Sequence, residues 1–282
     1  EDVAVLDASR DSGLAPSPAD RAGRRTFART SEAQHAAIAT LMREIPAMLP
    51  TLRSRRRVTG RRGDAVDVRN VYRRARRTGG EVIDLRWRHR PSRPRRILIL
   101  IDVSGSMKQY SADYLRFAHT VTRCCERVEA FTFGTSLTQV TSVLRTRDVD
   151  DALAGLAETV LDIDGGTLIG ASMQEFLSNG RRVTMARDAL VLVLSDGLER
   201  GDCHAMAAAT RRLSLLSHRL LWWTPLACDP SYEPVTRGMS AVVGMVDELA
   251  GVRDLGTAVT QVRRRAAGSG ALAHDYREVQ HA

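Results

Sequence analysis

Apolar and polar positions divide the chain into three parts. Residues 1–30 show no hydrophobic periodicity and contain Pro16 and Pro18 among small polar residues, so we expect a disordered leader there. Residues 31–94 mix short periodic stretches with runs of arginine. From residue 95 to residue 268 apolar runs and amphipathic stretches alternate regularly, which predicts one folded domain followed by a tail at 269–282.

The segment 31–94 is predicted to contain helices and one edge strand. Ser31 followed by Gln34 predicts a helix that begins with a capping box, and its apolar face is expected to be interrupted at Pro46. The stretch "DVRNVYRRARR" predicts a second helix, ended by the two glycines that follow it. In "EVIDLRWRHR" apolar and charged residues alternate, which is typical of a half-buried strand at the edge of a sheet.

The alternation beyond residue 95 predicts an α/β fold. "ILILI" at 97–101 is an apolar strand of the kind that is covered on both faces. Apolar residues at helical spacing from Met107 to Val128 predict a long helix, and "VEAFTFG" with "SLTQV" predicts a hairpin. Helices are expected at "DVDDALAGLAETV", "LIGASMQEFLSNG" and "HAMAAATRRLSLLS", strands at "ALVLVL" and "HRLLWW", and closing helices at "GMSAVVGMVDEL" and "LGTAVTQVRRR". This order predicts a doubly wound, mostly parallel, Rossmann-like sheet with a basic helical N-terminal extension.

The net charge of +9 is concentrated in the N-terminal third of the chain. Residues 1–96 contain 23 of the 42 basic and 11 of the 33 acidic residues, a balance of +12, whereas the remainder has a balance of −3. Lys108 is the only lysine, so the other basic residues are arginines. An arginine-rich segment favours acidic partners or phosphates, although the codon usage of a GC-rich genome explains arginine bias equally well.

No apolar run approaches the roughly 20 residues that a membrane-spanning helix needs, so we expect no membrane span. The first thirty residues also lack the pattern of a secretory signal, which favours a cytoplasmic protein.

Oxygen-bearing side chains lie in three loops of the predicted sheet. "DVSGS" contains Asp102, Ser104 and Ser106, "DGGT" contains Thr167, and "SDG" contains Asp196. Because the loops at the carboxyl ends of parallel strands gather at one edge, we expect these five side chains to lie together. Two carboxylates and three hydroxyls are a hard-oxygen set suited to Mg²⁺ or Mn²⁺. So few carboxylates leave room for an acidic side chain of a partner protein to complete the coordination.

A simpler interpretation exists for the first of these loops. A lone D-x-S-x-S usually marks a strand-to-helix turn in which a serine caps the helix and the aspartate binds backbone amides. The presence of Thr167 and Asp196 on the appropriate later elements favours metal binding over that interpretation.

The same residues resemble the metal-ion-dependent adhesion site (MIDAS) of von Willebrand factor type A (VWA) domains. The resemblance covers roughly residues 95–265 and implies hydroxyl ligands at Ser104, Ser106 and Thr167, with Asp102 and Asp196 binding directly or through water. Asp164 departs from the pattern, because a glycine often stands at its position, and we expect its side chain to face solvent. "GGEVIDLRWRHR", "IDVSGSM", "LSDGLERGD" and "LLWWTPLACDPSYEPVTRGMSA" are similar to the CoxE-like family of bacterial VWA proteins.

This resemblance implies a non-enzymatic adaptor. CoxE-like proteins are implicated, together with a MoxR-type AAA+ ATPase, in cofactor maturation of molybdenum-containing carbon monoxide dehydrogenases and related metalloenzymes. The expected partners are therefore such an ATPase and a client metalloenzyme, with an acidic side chain of one of them completing a Mg²⁺ or Mn²⁺ site. The chain has no Walker lysine motif, so any ATP hydrolysis is expected in the partner.

Two other functions remain open from the residues alone. A Mg²⁺-dependent phosphatase would use Asp102 as its nucleophile, yet Ser104 stands where such enzymes place a second carboxylate. A serine hydrolase is disfavoured because "VSGS" is not G-x-S-x-G and no histidine lies near the loops.

Nucleic-acid binding through the arginines is less favoured, because Tyr72 and Trp87 are the only large rings between Arg53 and Arg96.

Overall fold

The computed structural model describes residues 27–81, 84–160 and 168–268. The first helix, α1 (Glu32–Met48), begins with the predicted capping box, in which Ser31 and Gln34 exchange hydrogen bonds between side chain and backbone. The predicted interruption at Pro46 is wrong, because the helix continues through this residue to Met48. A proline in the last turn removes only one helical hydrogen bond, and the same turn buries Ile45 and Met48.

Short elements follow α1 in the basic segment. In chain order they are β1 (Thr51–Arg53), β2 (Val58–Gly60), β3 (Ala65–Val66), α2 (Val68–Ala75), β4 (Trp87–His89) and β5 (Ser92–Pro94). Strand β1 pairs with β5, and β2, β4 and β3 form a separate antiparallel sheet in that order. The predicted second helix is confirmed as α2, and Gly79 and Gly80 follow it with positive φ angles of 68° and 103°.

The predicted edge strand is the central strand of this small sheet. Strand β4 is only three residues long, and it pairs with β2 on one side and β3 on the other. Its two partners lie in a stretch of arginine and glycine without apolar alternation, so the sequence contained no signal for them. Ile83 of the predicted alternation lies outside the described residues.

A six-stranded sheet forms the centre of the molecule. Its strands are β6 (Ile97–Asp102), β7 (Val128–Phe133), β8 (Leu137–Gln139), β9 (Leu190–Leu194), β10 (Arg219–Thr224) and β11 (Glu248–Gly251). The spatial order is β11-β10-β9-β6-β7-β8, and every neighbouring pair is parallel except β7 with β8. This antiparallel pair is the predicted hairpin. Strand β6 therefore lies inside the sheet between β9 and β7.

Helices cover both faces of this sheet. They are α3 (Ser111–Cys124), α4 (Thr141–Leu144), α5 (Val149–Thr159), α6 (Ile169–Ser178), α7 (Gly180–Ala186), α8 (Cys203–Leu216), α9 (Arg237–Val242) and α10 (Leu255–Ala266). One hydrophobic core contains side chains of α1, α3, α4, α5 and α10, and the other contains side chains of α6, α7, α8 and α9. Successive residues of β6 enter opposite cores, Ile99 the first and Leu100 the second. The prediction of a doubly wound, mostly parallel α/β fold is confirmed.

Two predicted helices differ from the structure. The helix expected from Met107 to Val128 is confined to α3, because a 3₁₀ turn occupies Gly105–Met107 and Val128 begins β7. The stretch predicted as a closing helix near Glu248 ends instead in strand β11. Pairing of β11 with β10 determines this conformation, and a four-residue strand is too short to show periodicity.

Helix α1 is packed onto the main domain. Leu41 and Ile45 are fully buried in the core that also contains side chains of α3 and α10. Just before α1, Thr30 donates hydrogen bonds from its amide and hydroxyl to Asp150 of α5, and Arg116 of α3 donates to the Thr30 hydroxyl at 3.0 Å. The basic segment is thus joined to the sheet domain by α1, whose buried face packs on that domain. Among the described residues, no helix is long and apolar enough to cross a membrane.

Candidate metal centre

Asp102 ends strand β6 and begins the first of the predicted loops. Its side chain is completely buried, and its Oδ1 accepts a hydrogen bond from the backbone amide of Ser104 at 3.0 Å. An aspartate that binds the amide two residues ahead bends the chain away from the strand direction. The chain therefore leaves the sheet here and enters the 3₁₀ turn that precedes α3.

The two serines of this loop lie side by side. The Oγ atoms of Ser104 and Ser106 are 3.2 Å apart, and Ser104 is fully buried whereas Ser106 is exposed. The Ser104 side chain makes no capping hydrogen bond to the following turn. The helix-capping interpretation of Ser104 is therefore not supported, because its hydroxyl contacts Ser106 instead, whereas Asp102 does bind a backbone amide as that interpretation expects.

The third loop reaches the same place from the neighbouring strand β9. Ser195 donates a hydrogen bond to Oδ2 of Asp102 at 2.6 Å, and its own Oγ accepts one from the amide of Gly197 at 3.0 Å. Asp196 repeats the turn geometry of Asp102, since its Oδ1 accepts from the amide of Leu198 at 3.0 Å. One hydroxyl therefore connects the two loops, and both carboxylates lie at the carboxyl edge of the sheet.

Electrostatics at this edge disfavour two bare negative charges. Burial raises the pKa of Asp102 from 3.8 to about 6, hydrogen bonds from Ser104 and Ser195 oppose this shift, and the charge of Asp196 adds to it. Asp196 is itself only 3% exposed. A divalent cation between the two carboxylates would balance their charge and remove this cost.

Besides Ser195, two further supporting side chains were not anticipated from the sequence. Trp222 of β10 is fully buried and donates its indole N–H to the backbone oxygen of Ser195 at 3.0 Å. Glu199 accepts hydrogen bonds from the amides of Gly170 and Gly201, both at 2.6 Å, and so links the third loop to the first turn of α6. For Ser195, the sequence signal was its position directly before Asp196, which could have indicated a residue that orients the site.

The second loop of the predicted site lies outside the described residues. This applies to Thr167, the predicted third hydroxyl ligand, and to Asp164, so both assignments stay predictions. The next described residue is Leu168, whose amide donates a hydrogen bond to the backbone oxygen of Gly134 directly after β7. The structure thus brings together four of the five predicted ligands: Asp102, Ser104, Ser106 and Asp196.

The donor chemistry of these four side chains fits a hard divalent cation. Carboxylate and hydroxyl oxygens are the ligands that Mg²⁺ and Mn²⁺ prefer. In the described part of the chain, no group of three or more His, Cys, Asp and Glu side chains is placed to hold a metal ion. The cluster is therefore sparse in charge, and it differs from a zinc site built from thiolates and imidazoles.

A cavity of about 300 Å³ opens beside the serines. It is lined by residues 105–106 of the first loop, 197–200 of the third loop and 236–238 at the beginning of α9. No histidine is among these lining residues, so the cavity contains no imidazole base for hydrolytic chemistry. A side chain of a partner protein would need such a space in order to reach the oxygen cluster.

The comparison with protein families identifies the class of this chain. The family of VWA domain containing CoxE-like proteins matches residues 38–258, and the chain belongs to this family. The six-stranded sheet with helices on both faces is the VWA fold. The expected CoxE-like resemblance is confirmed, and the match includes most of the basic segment as well as the sheet domain.

Solved structures with a similar fold include proteins from several organisms. A von Willebrand factor type A protein from Catenulispora acidiphila is 18% identical, with a TM-score of 0.41, over 64% of this chain and 44% of that one. This chain therefore covers less than half of that protein. The manganese-loaded TRAP protein of Plasmodium vivax is 16% identical over 61% of this chain and 73% of that one, with a TM-score of 0.41.

A third structure is the proximal thread matrix protein 1 of the mussel byssus with a zinc-occupied MIDAS motif. It is 12% identical over 61% of this chain and 48% of that one, with a TM-score of 0.40. No curated protein matches this chain.

Proposed function

We propose that this protein is a divalent-metal-dependent adaptor that binds an acidic side chain of a partner protein. The observation that carries the proposal is the convergence of Asp102, Ser104, Ser106 and Asp196 at the edge of the sheet, beside an open cavity. Thr167 completes the proposed ligand set, and Mg²⁺ is the proposed metal, with Mn²⁺ as the alternative. VWA domains are in general interaction modules, in agreement with this role.

The chemistry of the cluster supports binding more than catalysis. With both aspartates ionised, Mg²⁺ neutralises the site, and the few protein ligands leave coordination positions for water or for a carboxylate from outside. The phosphatase alternative needs a proton donor next to Asp102, and in the described part of the chain the groups that donate hydrogen bonds to its carboxylate belong to Ser104 and Ser195. Neither of them is an acid or a base near neutral pH.

The proposed partners are a MoxR-type AAA+ ATPase and a client metalloenzyme, such as a molybdenum-containing carbon monoxide dehydrogenase. Membership of the CoxE-like family supports this assignment. The adaptor contributes recognition, and the ATPase contributes the work of ATP hydrolysis. The exposed arginines of the basic segment support attraction of an acidic partner surface, which increases the rate of association.

Nucleic-acid binding receives less support from the same segment. Single-stranded nucleic acids need exposed rings on which bases stack. Of the two large rings between Arg53 and Arg96, Tyr72 is 66% exposed and Trp87 is half-buried in strand β4. An arginine surface with one exposed ring fits an acidic protein better than a strand of stacked bases.

The first experiment measures metal binding and partner capture together. Calorimetry with Mg²⁺ and Mn²⁺ tests the site without any partner, and capture of the cognate ATPase is then compared in excess Mg²⁺ and in EDTA. Asp102→Ala and Ser104→Ala are expected to weaken metal binding and capture by at least about tenfold, because each removes an oxygen from the site or from its immediate support.

Two exposed residues of the same types provide matched controls. Asp151→Ala on α5 and Ser142→Ala on α4 change the same functional groups far from the cluster, and both should bind as the unaltered protein does. Undiminished capture by Asp102→Ala and Ser104→Ala, or equal capture in EDTA, would contradict the proposed function. Circular dichroism of all four variants separates loss of binding from loss of fold.

A further inference from the structure

The cavity beside the metal cluster is a groove with two arginines in its walls. Ser106 lines the side next to Ser104, Arg200 belongs to the third loop, and Arg237 is the first residue of α9. Both arginines are exposed, and neither forms an ion pair with another described residue. Its volume of about 300 Å³ lies at the lower end of the range of roughly 300–1,000 Å³ for clefts that bind ligands.

The acid that lines the groove, Glu199, keeps its charge but forms no ion pair with either arginine among the described residues. Glu199 uses one carboxylate oxygen for the amide of Gly170 and the other for the amide of Gly201. Hydrogen bonds from backbone amides hold a carboxylate firmly and leave it little freedom to turn toward a side chain. The groove therefore presents two guanidinium groups whose preferred partners are carboxylates from outside.

The walls of the groove are held together by backbone contact. A Cβ atom on Gly238 would lie 2.4 Å from the backbone oxygen of Gly197, so the beginning of α9 touches the third loop directly. Gly197 itself has a φ of +73°, and a Cβ atom there would lie 2.1 Å from Sδ of Met239. Only glycine permits this approach at both positions. The groove is thus formed before any partner binds, which lowers the entropy cost of binding.

We infer that the groove binds a second acidic side chain of the same partner segment, so that the partner is recognised by a pair of acidic residues. The first carboxylate binds at the metal cluster, and the second pairs with Arg200 and Arg237. Leu198, which is 40% exposed on the wall of the groove, provides an apolar contact between the two positions. This inference rests on the proposed function and adds to it the chemical class of the partner segment.

Energetics set the expected size of the effect. An exposed ion pair contributes little, but a guanidinium that binds a carboxylate through two hydrogen bonds contributes more. Two arginines around one carboxylate should therefore increase affinity for the acidic pair by about tenfold over a single acid. The gain should fall as salt concentration rises, because both guanidinium groups are exposed to solvent.

The test uses fluorescently labelled Gly-Ser peptides as probes. One peptide carries a single glutamate, and the others carry two glutamates separated by one, two or three residues. Fluorescence anisotropy with the full chain is measured in excess Mg²⁺ and in EDTA. We expect at least one two-glutamate peptide to bind about tenfold more tightly than the single-glutamate peptide in Mg²⁺. The double variant Arg200→Gln, Arg237→Gln should lose this gain and keep the affinity for the single-glutamate peptide.

A control variant and the possible outcomes separate this inference from the proposed function. Arg211→Gln, Arg212→Gln removes two adjacent exposed arginines of α8 that do not line the groove, and it should keep the gain. The inference is overturned if no two-glutamate peptide binds more tightly than the single-glutamate peptide, or if the Arg200, Arg237 double variant shows the same gain. In either case, Mg²⁺-dependent binding of the single-glutamate peptide still supports the adaptor function. Absence of Mg²⁺ dependence for the single-glutamate peptide contradicts the proposed function itself.

Discussion

The sheet domain and the basic segment between α1 and β6 are built in opposite ways. Strands β6 and β9 are buried along their whole length and have a core on each face, whereas every residue of β1 and β5 is exposed. The large apolar side chains Val68 and Tyr72 of α2 are 71% and 66% exposed. The two regions also differ in charge, because the excess of basic residues lies before β6.

This difference teaches which region suits each task of the proposed adaptor. A metal cluster needs ligands held to within a fraction of an ångström, and the ends of buried strands provide such positions. Attraction of a partner by charge needs exposure, and it tolerates short elements with little core. We therefore expect substitutions in the sheet domain to change stability strongly, and substitutions in the basic segment to change it only slightly.

The largest expected effect separates two aromatic residues, one from each region. Trp222→Ala removes a fully buried ring from the core and the hydrogen bond to Ser195, so the free energy of unfolding should fall by about 3–5 kcal/mol. Tyr72→Ala removes an exposed ring and should change it by less than about 0.5 kcal/mol. Urea denaturation measures both values. A large loss for Tyr72→Ala would show that the basic segment has a core of its own.

The second prediction tests whether α1 belongs to the sheet domain. Leu41 is fully buried in the core shared with α3 and α10, so Leu41→Ala should lower the free energy of unfolding by about 2–4 kcal/mol in one cooperative transition. Met42 is adjacent and 42% exposed, so Met42→Ala serves as the control with a small effect. Two separate transitions in Leu41→Ala, with the main one unchanged, would assign α1 to an independent unit.

The third prediction concerns the stability cost of the buried carboxylate in the candidate metal site. Because burial raises the pKa of Asp102 to about 6 in the folded protein, that state binds more protons than the unfolded chain between pH 4 and pH 6. The free energy of unfolding in EDTA should therefore fall as pH rises through this range and stay low above it. Asn cannot ionise, so Asp102→Asn should be more stable than the unaltered protein at pH 7 by about 1–3 kcal/mol.

In Mg²⁺ the unaltered protein should be more stable than Asp102→Asn, the reverse of the order in EDTA. Ligand binding to the folded state stabilises the unaltered protein, and the variant without the carboxylate gains nothing. Thermal denaturation across pH, with EDTA and with Mg²⁺, measures both effects. A destabilised Asp102→Asn variant in EDTA at pH 7 would mean that the carboxylate is satisfied without a cation.

Hydrophobic periodicity predicts most of the sheet domain. Five of the six strands of the main sheet have apolar runs or alternation that identify them from the sequence, and β11 does not because it has only four residues. The helix expected up to Val128 shows a second limit, since apolar residues at helical spacing continued by chance into β7. In both β11 and β7, pairing with a strand distant in sequence determines the conformation. Local hydrophobic patterns carry no information about such pairing.

Residue chemistry identified the oxygen-bearing side chains that the fold brings together better than it identified the residues that support them. Asp102, Ser104, Ser106 and Asp196 were identified because oxygen side chains followed apolar strands at recognisable spacing. Ser195 was not, although its hydroxyl joins Asp102 to Gly197, because a serine next to an aspartate is common in loops. Such a role depends on which two loops the fold places side by side.

The direct continuation of the arginine-rich segment into β6 has a mechanical consequence. Residues 95 and 96 join that segment to the first residue of the strand, and Asp102 stands at its other end. A pulling force on the segment would load β6 in shear between its two parallel neighbours, so that many hydrogen bonds must break at once before the strand slides. Tension would thus be resisted by the hydrogen bonds of β6, and the loop that begins at Asp102 would keep its position while the basic segment is pulled.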